Sequence, residues 1–113
     1  MLPRTLNGKA LRHLRALGHA LDPVIAVGKA GVTAAVVKET QTALEKHELV
    51  KVRVMREAPA DRKATAEDLA QKTGAVLAQV LGRTFLLYRK HPKKPKIVLP
   101  KPGPDAPPPG DDG

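Results

Sequence analysis

The 113-residue chain contains no cysteine and no tryptophan, with one phenylalanine, Phe85, and one tyrosine, Tyr88. Without cysteine, disulfide frameworks, thiol catalysis and Cys-based zinc sites are excluded. With so few rings the core must be aliphatic, and little surface is left for stacking nucleobases. The four histidines, His13, His19, His47 and His91, are too scattered to suggest a metal site. No Ser/His/Asp grouping is visible, so no catalytic residue and no cofactor is expected. No apolar run approaches the roughly 20 residues of a membrane span, and the start lacks the apolar core of a signal peptide. A cytoplasmic protein with no membrane partner and no small-molecule substrate is the expectation. Acidic residues are also scarce, 11 against 20 Lys plus Arg, for a net charge of +9. Three of the acids, Asp105, Asp111 and Asp112, fall in the last nine residues, so residues 1–104 carry +12. Such a balance points to a polyanionic partner.

What is present organises into alternating elements. Residues 1–5 read as a lead-in. From Leu6, the positions Ala10, Leu11, Leu14, Leu17, Gly18 and Leu21 recur at three- and four-residue steps, predicting an amphipathic helix that ends at Asp22-Pro23. Val24 to Val27 is a short apolar run that predicts a buried strand. Thr33 then caps a helix to about His47, with Ala35, Val36, Ala43 and Leu44 for burial. Leu49 to Met55 alternates, Val50, Val52 and Val54 on one face and Lys51, Arg53 and Met55 on the other. Ala60 or Asp61 caps a third helix to Thr73, whose buried stripe is Ala66, Leu69 and Ala70, and Gly74 stops it. Ala75–Leu81 and Thr84–Arg89 form a hairpin around Gly82-Arg83, the first crossover pair being parallel and right-handed. Both hairpin strands are apolar at successive positions, which requires cover on both faces and sets helix one opposite helices two and three. The expectation is a compact single α/β domain, order α-β-α-β-α-β-β, with a four-stranded mixed sheet and three helices. Beyond Arg89 the chain turns proline- and lysine-rich around an Ile97-Val98-Leu99 anchor, and residues 100–113 are expected to be disordered.

Val27 to Thr33, Val-Gly-Lys-Ala-Gly-Val-Thr, joins the first strand to the second helix. Alone, such a motif reads first as a turn. On this basic chain it also suits a phosphate clamp: Gly28 and Gly31 permit close approach, Lys29 adds charge, and the helix start at Thr33 favours an anion. Further cations that could meet a phosphate backbone are Lys9, Arg12 and Arg15 on helix one, Lys51 and Arg53 on the polar face of a strand, and Arg83 at the hairpin tip. Lys90, Lys93, Lys94 and Lys96 form a proline-stiffened arm that adds affinity without reading sequence. Tyr88 reads as core rather than as a stacking platform.

Leu21 to Thr33, His47-Glu48-Leu49-Val50-Lys51-Val52 and Val80 to Arg89 together resemble the CRM domain, the chloroplast RNA splicing and ribosome maturation module. Its free-standing bacterial form is the YhbY-like family. The resemblance covers Leu6 to Leu99. It implies a fold similar to the C-terminal domain of translation initiation factor three, with a KH-like Gly-x-x-G loop. It further implies RNA contact at Gly28, Lys29, Ala30 and Gly31, with ribosomal RNA in precursors of the large subunit as partner. Ala30 departs from the family's frequent second basic residue, which removes one loop charge. A non-catalytic assembly factor, monomeric when free, is the leading expectation. A protein-interaction module for an acidic partner and an RNA-acting enzyme remain the alternatives.

Overall fold

Three polar side chains set where the helices begin. In the computed structural model, which describes residues 7–100, Asn7, Thr33 and Asp61 sit in extended backbone. Each accepts a hydrogen bond from the N–H three residues on: Ala10 at 2.9 Å, Val36 at 3.1 Å and Ala64 at 2.8 Å. These bonds satisfy donors that a first helical turn leaves orphaned. They open α1 (Gly8–His19), α2 (Ala34–His47) and α3 (Arg62–Thr73), interleaved with β1 (Ile25–Val27), β2 (Leu49–Val54), β3 (Val76–Leu81) and β4 (Thr84–Tyr88). The element order is the expected one. The lead-in over residues 1–5, the helical start at Leu6 and the tail from Lys101 onward lie outside the described residues.

The strands β2, β3 and β4 are each one residue shorter than expected, and two other boundaries differ with a structural consequence. α1 ends at His19, short of Asp22-Pro23, because Ala20 N–H bonds to Leu17 O at 3.3 Å and Leu21 N–H to Gly18 O at 3.0 Å. These bonds reach back three residues, tightening the last turn so that the chain leaves before the proline. β1 begins at Ile25 and is an edge strand covered on one face: Ile25 and Val27 are buried, Val24 and Ala26 exposed.

The sheet order is β1-β2-β4-β3, with β1 and β2 parallel and the other pairs antiparallel. On one face Val50, Val52 and Val54 join Ile25, Val27, Phe85 and Leu87 beneath Leu44 of α2 and Ala66, Leu69 and Ala70 of α3. On the other, Leu49, Ala78, Leu86 and Tyr88 meet Leu14 of α1. Helix α1 therefore lies opposite α2 and α3, and Tyr88 is a core residue. A bulge between Leu77 and Gln79 resets the alternation of β3, so Leu77 and Val80 both pack on the α2/α3 face while Ala78 is buried on the other. In α2 the buried stripe runs through Thr40 and Leu44, and Ala35 is exposed. Thr40, Thr65 and Thr73 can be buried because each hydroxyl donates to a nearby backbone carbonyl, those of Val36, Ala60 and Leu69 respectively.

Helix α1 contributes one large, fully buried side chain, Leu14, worth roughly 1.5–3 kcal/mol. Its seat therefore depends on close approach at Gly18, where a Cβ would overlap both methyl carbons of Leu86 and stand 3.1 Å from its Cγ.

A single residue, Glu48, connects α2 to β2, at φ 63° and ψ −38°. Its carboxylate is fully buried. Oε1 accepts the N–H of Lys96 at 2.8 Å and of Ile97 at 2.7 Å, and Oε2 accepts that of His91 at 2.7 Å. The Glu48 carbonyl accepts Arg89 N–H at 2.9 Å. The chain after β4 is thereby folded back, and Ile97 and Leu99 pack against the α1-side cluster. Burial by itself raises the Glu48 carboxyl, but the three backbone donors and the neighbouring His91 outweigh it and hold it below its ordinary 4.5.

Two predictions follow from these contacts. Gly18→Val should lower stability by about 1–3 kcal/mol through overpacking against Leu86, read as a fall in Tm. Glu48→Gln should cost about 2–3 kcal/mol at neutral pH in denaturant titrations. Because the folded carboxyl lies below its unfolded value, its contribution is complete above that value and lost as pH falls through the lower one. The difference between wild type and Glu48→Gln should therefore shrink below pH 4.5.

Candidate nucleic-acid interface

The loop after β1 is a tight turn closed by Gly31 N–H on Gly28 O at 2.9 Å, and Thr33 N–H bonds to Gly31 O at 3.1 Å. Val32 packs against the core, and the Thr33 hydroxyl is committed to capping α2. Only Lys29 and Ala30 protrude, both exposed. Among the described residues their N–H groups have no protein acceptor, so the four-residue turn carries two unbonded backbone donors and one exposed lysine.

The two glycines do different work. Gly31 is buried at φ 75°, and a Cβ there would lie 3.1 Å from Pro59 Cγ, so the fold itself requires glycine. Gly28 has no positive φ, and a Cβ there would meet nothing within 4 Å. The fold makes no demand for glycine at 28. What its missing side chain leaves is open space beside the unbonded donors.

Register brings other cations to this end of the sheet. Ala26 pairs with Arg53, Arg53 pairs with Thr84, and Val54 N–H bonds to the Arg83 carbonyl at 2.7 Å. Met55 N–H reaches Val27 O at 2.9 Å, tying the strand ends together. Lys29, Arg53 and Arg83 thus share one end, all exposed, and none is in an ion pair among the described residues. Lys51 lies two residues back along β2 and is half-buried, its stem covering apolar surface beside α1.

The helix-one cations are placed differently. Arg15 Nε donates to Ala78 O at 3.1 Å, the carbonyl freed by the β3 bulge, so this guanidinium is partly spent on holding α1 to the sheet edge. Lys9 and Arg12 are exposed on the earlier turns of α1, Lys9 being roughly 15 Å along the axis from His19 by helical rise. The structure does not bring them to the loop end. The Lys90 to Lys96 arm is not free, since Glu48 holds its backbone and Lys96 Nζ donates to Lys46 O at 2.6 Å. It leaves the end of β4, where Tyr88 pairs with Leu49 at the start of β2, roughly 17 Å from the loop end by strand rise. Three cations that sequence reasoning left unassigned, Arg56, Arg62 and Lys63, line a cleft beside the Gly31 wall.

Comparison with known proteins decides the family. A model of the CRS1/YhbY (CRM) domain matches residues 6–89. The chain belongs to this family. It is 38% identical over 95 residues to the protein named "Probable RNA-binding protein YqeI" of Bacillus subtilis (strain 168), covering 84% of this chain and 99% of that one. It is 37% identical over 100 residues to a Haemophilus influenzae protein named "RNA-binding protein", covering 86% and 97%. The solution structure of a hypothetical protein from Staphylococcus aureus superposes with a TM-score of 0.73 at 38% identity, covering 85% of this chain and all of that one. In this CRM domain, then, the family's Gly-x-x-G loop is a turn with one structural glycine and one open one.

The two glycines should separate on substitution. Gly31→Ala is expected to lose about 1–2 kcal/mol from positive φ and the Pro59 contact, whereas Gly28→Ala should stay within about 0.5 kcal/mol of wild type, both by thermal unfolding.

Proposed function

We propose that this CRM domain binds structured RNA through the loop end of its sheet, gripping the phosphate backbone with the Lys29-Ala30 turn, Arg53 and Arg83. The observation that carries the reading is Gly28: a glycine the fold does not need, beside two backbone donors without a protein acceptor and an exposed lysine. A phosphate oxygen can approach such a turn where a side chain would block it. The net charge and the names borne by relatives support the same partner. With Tyr88 buried and Phe85 buried, base stacking on aromatic rings has no platform here, and shape and phosphate contacts carry recognition.

The finer reading is a cytoplasmic, monomeric, non-catalytic factor that acts on ribosomal RNA in precursors of the large subunit. Its support is the family resemblance of the three sequence motifs. Crosslinking in cells followed by sequencing of attached RNA tests it: enrichment at one large-subunit site is expected, and a diffuse spread over messages would overturn the ribosomal assignment. For the binding surface, Lys29→Asp with Ala30→Asp should lower RNA affinity at least about tenfold and flatten its salt dependence, with Tm unchanged because both side chains are exposed. Unaltered affinity in this folded double variant would sink the loop as the contact.

A further inference from the structure

Beyond Val54, the stretch from Met55 to Asp61 walls a cleft of about 570 Å³ that faces Arg83 of the hairpin. That volume lies within the roughly 300–1,000 Å³ usual for small-ligand sites. Arg56, Arg62, Lys63 and Arg83 line it with one acid, Asp61, and none of the four cations is in an ion pair among the described residues. Asp61 Oδ1 is bonded to Ala64 N–H at the start of α3, where the helix dipole offsets part of its charge. The lining is not uniformly polar: Met55, Ala58 and Pro59 supply an apolar patch. Pro59 is also the residue against which Gly31 leans, so the cleft and the Lys29 turn share a wall.

A surface that only followed a duplex backbone would need cations and no recess. Cations around a recess that also carries a smaller apolar patch instead fit a nucleoside phosphate, its anionic group on the cations and its flat base on the patch; guanidinium planes can cover a base where rings are absent. Resting on the RNA-binding reading above, we propose that this cleft takes one unpaired nucleotide of the bound RNA. Its phosphate meets Arg62 and Lys63, and its base lies over Met55 and Pro59. The strand gripped at Lys29 passes over the shared wall to reach it. Specific shape is thereby read at the loop end without aromatic stacking: the domain selects RNA with a looped-out nucleotide next to a helix.

Fluorescence anisotropy with two RNA hairpins, identical except for a single-nucleotide bulge, tests this at fixed salt. Wild type should prefer the bulged hairpin by about tenfold. Ala60→Trp, which fills the cleft from an exposed loop position, and separately Arg62→Ala with Lys63→Ala, should reduce bulged-hairpin affinity to that of the paired hairpin. Paired-hairpin affinity should stay within about twofold in both variants. Equal losses on both hairpins would mean diffuse charge and overturn the proposal, as would tight wild-type binding without preference, which leaves RNA binding itself intact. Binding of neither hairpin would overturn both readings. Saturable binding of AMP or GMP alone at micromolar concentration would reassign the cleft to a free nucleotide.

Discussion

The buried carboxylate of Glu48 is the constraint on which the rest of the arrangement hangs. Among the described residues it is in no ion pair; three backbone N–H groups satisfy it, from His91, Lys96 and Ile97, with the His91 side chain adding a favourable charge. Those donors exist in that place only when the chain folds back after β4, and an unpaired buried carboxylate would be costly without them. Each side of the contact therefore requires the other. The backbone at Glu48 also stands at a φ that side chains avoid, which a surrounding network must hold in place. One residue thus fixes the exit of α2, the entry of β2 and the return of the C-terminal segment. The result is an α1-side cluster completed by Ile97 and Leu99, residues that follow the last strand.

That anchoring sits at the start of β2, and the outward-facing loops sit at its finish. Buried anchoring and exposed cations are divided along one strand. At the first end several charged groups are turned inward or spent on carbonyls, Glu48 by accepting three N–H groups, Arg89 on Thr73 O and Lys96 on Lys46 O, while Lys46, Lys90, Lys93 and Lys94 stay exposed. At the other, Lys29, Arg53 and Arg83 are exposed around turns tied by backbone bonds and, at the hairpin, by the Thr84 hydroxyl donating to Leu81 O at 2.9 Å. A domain built this way can present cations without asking them to hold the fold.

Much of this was legible in the residue order. The caps at Thr33 and Asp61, the alternation of β2, the Gly82-Arg83 hairpin and the placement of α1 opposite the other helices follow from local rules about capping, period and turns. The misses share a physical origin in tertiary contacts. Glu48 looks like a surface acid at a helix end, and its only sequence signal is that α2 and β2 are joined with no glycine or asparagine to take the positive φ. Thr40, Thr65 and Thr73 count as polar until their hydroxyls are seen to bond the helix backbone. Arg15 reads as one of three helix-one cations that could meet a phosphate backbone, but its Nε donates to Ala78 O at the β3 bulge, which is itself invisible in the pattern. Gly28 and Gly31 are identical letters; only the dihedral of one and the empty space around the other distinguish them. Arg56 precedes the third helix and Arg62 and Lys63 open it, and nothing in the local pattern brings the three to one cleft.

The bulge in β3 has a consequence for how this domain can meet other molecules. A sheet edge with free donors and acceptors invites a foreign strand to add to it. Here one edge is β1, three residues long, and the other is β3, kinked at Leu77/Gln79 and with Arg15 seated on the Ala78 carbonyl. Neither edge offers a straight ladder of several unclaimed groups. Such edges resist extension by another strand, so the fold itself guards this basic domain against edge-to-edge association.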